Sequence, residues 1–206
     1  MDVQQLPRGR HRLSRAVVVS SQRERLLLAM ADAVAEQGYA KTTVADVLRR
    51  ARVSRETFYE QFANKEDCFL AAYDAAAAIV AGEWAGEGEA LAGGGLGETL
   101  DRLLGRYLTA LASEPAIART FLVEVYAAGP RALARRVEVQ QRFVDFVAAI
   151  AGAEDERQRF ACEAVVAAVS ALVTQRVCAG RGAEIEDLRA PLAELAGSLM
   201  ADVGLA

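Results

Sequence analysis

The chain has 206 residues, of which 53% are hydrophobic, 25% charged and 6% aromatic. Such a composition excludes disordered and collagen-like chains and supplies a sizeable core, while abundant alanine, few aromatics and only four prolines favour closely packed helices. The net charge of −4 conceals an asymmetry: residues 1–66 hold 12 Lys and Arg against 8 Asp and Glu, residues 67–206 hold 12 against 20. The first third is thus basic enough to approach phosphates, whereas the whole surface is not. An all-α chain of one or two domains is expected.

Cys68, Cys162 and Cys178 lack any C-x-x-C spacing, so neither a zinc site nor a disulfide framework is indicated. On one helix, Cys162 and Cys178 would stand about 24 Å apart, beyond disulfide reach. Buried, reduced thiols in a cytoplasmic protein are expected. The apolar stretch 16–19 is too short for a secretory signal, and the most apolar run, 164–173, is too short to span a bilayer.

Residues 1–20 show no helical period and carry Arg8, Arg10, His11, Arg12 and Arg15 beside Pro7 and Gly9, which reads as a flexible basic arm. Ser21 to Glu24 form a capping-box pattern that opens a first helix ending at Gly38. Thr43 to Asp46 open a second helix with an apolar face of Val44, Val47, Leu48 and Ala51. Ser54 caps a third, from Arg55 to Phe62, with Phe58 and Phe62 facing inward. Asn64 caps a fourth, running through Phe69, Leu70 and Tyr73 towards Val80. Two short helices joined by Arg52-Val53-Ser54 make a helix-turn-helix by length and turn. The glycines from Gly86 to Gly97 form a linker that lacks the Lys-Ser/Thr of a phosphate-binding loop. Long helices follow at about 98–112, 115–128, 131–151, 154–180 and 191–203, with a short extra turn at 184–190.

In a helix-turn-helix the early residues of the second helix meet base edges. Here they are Arg55, Glu56 and Thr57, with Tyr59 one turn on, and their side chains suit guanine, cytosine and thymine in turn. Lys41, Thr43, Ser54, Tyr59 and Lys65 are expected at phosphates, and Thr42 and Arg52 are expected with them among the DNA-binding residues.

The string Lys41-Thr42-Thr43-Val44-Ala45-Asp46-Val47, then Val53-Ser54-Arg55-Glu56-Thr57-Phe58-Tyr59-Glu60-Gln61-Phe62, then Asn64-Lys65-Glu66 resembles the DNA-binding domain of TetR-type transcriptional regulators. The resemblance covers Arg23 to about Tyr73. It departs at Arg52, where the family usually has glycine or another small residue. If the backbone there is left-handed, arginine costs about 1 kcal/mol and adds charge beside DNA. The resemblance implies a flexible arm at 1–20, a DNA-binding domain at 21–66 and an all-helical ligand-binding and dimerisation domain at 67–206. It also implies a homodimer that binds a palindromic operator, usually as a repressor, and is released by a small effector.

For the effector cavity, polar residues on apolar helical rows are the candidates: Glu124 in the row Ile117, Phe121, Ala128, Gln140 in the row Leu133, Val137, Val144, Val147, and Arg176 in the row Cys162, Val166, Val169, Val173, with Tyr107, Phe121, Tyr126, Phe143 and Trp84 as wall. Few polar candidates favour a hydrophobic or amphipathic effector. Close helix approach through Ala164, Ala168 and Ala171, beside Leu192, Leu195 and Leu199, would build a four-helix dimer interface. The only histidine is His11, which removes Ser-His-Asp and Cys-His catalysis, and no metal-ligand spacing or cofactor motif is present, so an enzyme is not expected. The rival to a regulator is a helical ligand-binding or scaffold protein of the same fold that has lost DNA binding, a reading favoured by the acidic Glu56 and Glu60.

Overall fold

The structure is a computed structural model that describes residues 15–85 and 95–205. Among these residues it has nine α-helices and no strand: α1 (Arg15–Gln37), α2 (Val44–Ala51), α3 (Arg55–Gln61), α4 (Lys65–Ala85), α5 (Leu96–Ser113), α6 (Pro115–Leu122), α7 (Pro130–Ala151), α8 (Glu156–Cys178) and α9 (Arg189–Asp202). Short 3-10 turns follow α6 at Glu124–Ala127 and precede α9 at Gly182–Glu184 and Glu186–Leu188. The all-α expectation holds. Most of the expected basic arm and of the glycine linker lie outside the described residues.

Caps explain the first boundaries. Thr43 and Asp46 form a reciprocal capping box, with Asp46 N–H donating to Thr43 Oγ1 at 3.2 Å and Thr43 N–H to Asp46 Oδ2 at 3.1 Å. Ser54 Oγ accepts from Thr57 N–H at 3.1 Å to start α3, and Asn64 Oδ1 accepts from Asp67 N–H at 2.9 Å to start α4. Gly38 ends α1 with φ +82°, where a side chain would be strained.

The start of α1 differs from expectation. The helix begins at Arg15, so the Ser21–Glu24 capping box sits in its interior and the stretch 15–20 of the expected arm is helical. Nucleating a helix is costly while extending one adds a hydrogen bond per residue, and no Gly or Pro lies between Arg15 and Gln37 to stop the extension.

The main core runs through both halves of the chain. Leu26, Met30 and Val34 of α1 meet Val47, Phe58, Phe69 and Tyr73, and the same cluster continues into Leu108, Leu122 and Val125. Fully burying each such side chain contributes about 1.5–3 kcal/mol. A second cluster joins Leu100, Val147, Cys162, Val165, Ala196 and Met200 of α5, α7, α8 and α9. Arg189 reaches across from α9 to hold Asp101 of α5 with two hydrogen bonds, at 3.0 and 2.7 Å. Gly105 makes that crossing possible, because a Cβ there would lie 2.9 Å from the guanidinium carbon.

Three packing expectations are corrected. The helix expected over 115–128 breaks after Leu122 and tightens into a 3-10 turn, which rotates Glu124 out of the Ile117–Phe121 row. On α7 the expected row holds from Gln140 onward, with Val144 and Val147 buried, but Leu133 and Val137 are exposed, Val137 by 65%, and Ala132, Val139 and Phe143 pack inward instead. Cys178 is exposed, unlike Cys68 and Cys162, because α8 ends there at the surface. Burial pushes the Cys68 thiol up to about 12, which makes it inert at neutral pH.

Candidate functional sites

The helix-turn-helix is built from the core outward. Phe58 is fully buried and Phe62 nearly so, their rings 5.5 Å apart, which fixes which side of α3 faces inward. Helical geometry then turns the neighbouring Tyr59 outward, where it is 49% exposed with Ser54, Arg55 and Glu56 also on the surface. Arg52 closes α2 in the left-handed region, at φ 53° and ψ 47°, and its N–H donates to Leu48 C=O. The conformation that favours glycine is thus occupied by an arginine, and an exposed one.

Not every expected contact residue is presented to solvent. Thr42 is buried, and its hydroxyl donates to the carbonyls of Ala33, at 3.2 Å, and Gly38, at 2.9 Å. Its role is to fasten the α1–α2 turn. Lys65 is partly buried, with its ammonium donating to the carbonyls of Tyr39 and Thr42 at 3.0 Å each and lying 4.0 Å from the Tyr39 ring centroid. Burial lowers its pKa. It braces the same turn from α4. Both were expected among the DNA-binding residues, because their partners are backbone carbonyls that no side-chain pattern reveals. Thr43 is exposed, but its hydroxyl is engaged within the capping box, donating to Asp46 Oδ2 at 2.6 Å. Lys41 is exposed, and Arg49, not among the expected residues, adds a further exposed cation one turn from Asp46.

A second site lies among α4 to α9. It is a cavity of about 90 Å³ with walls from Tyr73, Tyr107, Phe121, Phe143, Val169 and Leu192. Phe121 stacks on Tyr73 at 5.1 Å, and the Phe143 ring stands edge-on to both Phe121 and Tyr107. Tyr107, Phe121, Gln140 and Phe143 are therefore brought together as expected from the sequence, with Tyr73, Arg136 and Ser170 added to them. Arg136 escaped notice because it interrupts the row Ala132, Val139, Phe143, which becomes visible only once the inward face of α7 is known. Its four-residue spacing from Gln140 was the available signal.

The remaining cavity candidates lie elsewhere. Tyr126 is 52% exposed and stacks outside the cavity under Arg136, 4.9 Å from the guanidinium carbon. Arg176 sits in the last turn of α8, where its charge helps lower the pKa of Glu184 after the Arg181 pairing has done so. Trp84 belongs to the last turn of α4, and its side chain falls outside the described residues. Glu124 is buried but points away to the α1–α2 turn. Its Oε2 accepts from Tyr39 N–H at 2.9 Å, its Oε1 lies 3.1 Å from Arg119, and Gly38 leaves room for it. A carboxylate that looked like a ligand contact is instead a joint between the helix-turn-helix and the cavity helices.

Of the expected dimer residues, Leu195 and Ala171 are exposed, while Ala164, Ala168 and Leu199 are half-buried. Leu192 is buried within the chain and lines the cavity, because α9 turns it towards α5 rather than outward. By length and apolarity α8 could cross a membrane, yet it packs on α7 and α9 through Cys162 and Val165, with Phe160 exposed by 69%.

Residues 26–72 match the family model described as bacterial regulatory proteins of the tetR family. No curated protein matches the chain. Among solved structures, the fatty acid degradation regulator FadR from Bacillus halodurans superposes with a TM-score of 0.72 at 18% identity, covering 84% of this chain and 96% of that one. FadR from Bacillus subtilis in complex with stearoyl-CoA gives 0.69 at 17% identity, with the same 84% and 96% coverage. A TetR-like transcriptional regulator from Rhodococcus sp. RHA1 gives 0.67 at 21% identity, over 94% of this chain and 100% of that one. At these identities the likeness is one of fold.

Proposed function

From the premise that the chain carries a TetR-type helix-turn-helix domain, we propose that it is a ligand-responsive transcriptional repressor acting as a homodimer on a palindromic operator. Residues 21–66 are the DNA-binding unit and 67–206 the effector-binding and dimerisation unit. The observation that carries this reading is the division of α3, with Phe58 and Phe62 locked in the core while Arg55, Glu56 and Tyr59 stand exposed behind the Ser54 cap. That arrangement offers Arg55 to guanine, Glu56 to cytosine and Tyr59 to a phosphate, with Thr57 beside them and the cations Lys41 and Arg52 at the flanks.

A single recognition helix of this length selects an operator poorly, and two copies at successive major grooves, about 34–36 Å apart, solve that. The apolar surface left on α8 and α9, with Phe160, Ala171 and Leu195, supports a second copy as the cover. The effector enters the cavity lined by Tyr73 and Phe121. Displacing Phe121 moves the end of α6, and Glu124 three residues on carries that shift to Tyr39 and the start of the helix-turn-helix. To switch DNA binding the effector must prefer the non-binding arrangement by a few kcal/mol. An apolar or amphipathic molecule fits the aromatic walls, and the stearoyl-CoA complex of the Bacillus subtilis neighbour supports an acyl-type effector.

Selection of genomic fragments by the purified protein, followed by mobility shift, tests the reading. Wild type is expected to enrich a palindrome whose affinity falls steeply with salt, and Tyr59→Ala to lose it. The exposed Glu56 and Glu60 favour the rival in which the fold has lost DNA binding. Absence of enrichment at low salt, with bound effector removed, would decide for that rival.

A further inference from the structure

The cavity has one charge on its wall. Every lining residue among those described is apolar or neutral except Arg136, which enters from α7 and is half-buried. Its neighbours in sequence are each paired with carboxylates: Arg131 holds Glu66 and Asp67, and Arg135 holds Asp74 and Glu138. Among the described residues, Arg136 has only neutral partners. Its two terminal nitrogens donate to Gln140 Oε1, at 2.8 Å, and to Ser170 Oγ, at 3.1 Å, and its outer face rests on the Tyr126 ring.

A guanidinium withdrawn from water without a counter-charge is costly, and two neutral acceptors compensate it in part. Both prongs of the fork already point at side chains on the cavity wall, and a planar carboxylate is the acceptor that engages two prongs at once. Two phenols stand in the same cavity, those of Tyr73 and Tyr107. Burial raises the pKa of each, with the Arg136 charge acting in the opposite direction, so both stay protonated at neutral pH. Away from Arg136 the wall is aliphatic and aromatic throughout, with Leu103, Val165 and Leu192 among the lining residues.

We propose that the cavity binds a free, apolar carboxylic acid, with its carboxylate on the Arg136 fork and its hydrocarbon among the aromatic and aliphatic walls. This deepens the reading of the cavity as an effector site and rests on it. A coenzyme A thioester would bring a neutral carbonyl to Arg136 and leave the guanidinium unpaired, so the free acid is the preferred form.

Calorimetric titration of the full chain without DNA tests the proposal, using a series of straight-chain carboxylates from six to sixteen carbons. For each acid the 1-alkanol and the acyl-coenzyme A of the same carbon number are titrated alongside. At least one acid is expected to bind at least tenfold more tightly than the alcohol and the thioester of the same carbon number. Arg136→Met should weaken that acid at least tenfold and its matched alcohol by far less. The comparison of acid with alcohol on wild type needs no variant to fold. Equal binding of acid and alcohol, preference for the thioester, or no binding by any acid would overturn the proposal. Operator selection is measured separately, so failure of the acid leaves the DNA-binding reading standing, and failure of selection leaves the acid result readable.

Discussion

The helix-turn-helix face and the cavity are assembled in opposite ways. The first comes from one short stretch, Thr43 to Tyr59, in which each helix start is fixed by a cap and each inward residue by its neighbours. The second gathers residues from six helices, α4 to α9. Exposure follows chain order in the first: Phe58 is buried and Tyr59, next to it, is exposed. In the second it depends on which helix lies opposite. The difference teaches that a local site tolerates inference from spacing, whereas a distributed one depends on packing that spacing does not encode.

The sharpest way to break the comparison is the pair of adjacent aromatics on α3. Phe58→Ala removes a fully buried ring and is expected to cost about 3–5 kcal/mol in urea unfolding. Tyr59→Ala is expected to change stability by less than about 0.5 kcal/mol while abolishing operator binding in the mobility shift. Equal destabilisation by the two would show that Tyr59 is a packing residue. Glu124 tests whether the two sites are mechanically joined. Glu124→Ala strips an acceptor from Tyr39 N–H and a partner from Arg119, with an expected loss of about 2–3 kcal/mol. Glu124→Gln retains an acceptor and should lose less, and a neutral outcome for the alanine variant would show that the joint carries no load.

Smaller effects sharpen the local side. Arg52→Gly relieves a left-handed arginine and is expected to raise stability by about 0.5–1 kcal/mol, read from the thermal midpoint, while lowering affinity for DNA at low salt. The Thr43 hydroxyl, and then its N–H, hold the Asp46 carboxyl down at about 2. A carboxyl whose folded pKa lies below its unfolded value stabilises fully above the unfolded value, and that contribution disappears as pH falls through about 2. Asp46→Asn should therefore narrow the loss of thermal stability between pH 5 and pH 2, measured by circular dichroism against wild type.

Much of the fold was legible in advance. Gly38, Thr43, Ser54 and Asn64 mark boundaries because each acts on backbone within four residues of itself. Tyr107, Phe121, Gln140 and Phe143 were recognisable as cavity candidates, since an aromatic or a polar residue on an apolar row stands out on one helix alone. The failures share a cause. Thr42 and Lys65 bind carbonyls of a turn, Glu124 binds an amide 85 positions away, and Leu192 faces α5. None of these partners leaves a mark in the spacing around the residue itself.

What the sequence determined by itself was the helical class, the caps of α2, α3 and α4, and the inward pair Phe58 and Phe62, because hydrogen bonds within a turn and a period of about 3.6 residues are local properties. Tertiary structure alone decided that α6 breaks after Leu122, which turns Glu124 towards Tyr39, and that α7 presents Arg136 rather than Val137 to the cavity. Which side of a helix faces inward is settled by the surfaces available to cover it, and those surfaces belong to other helices.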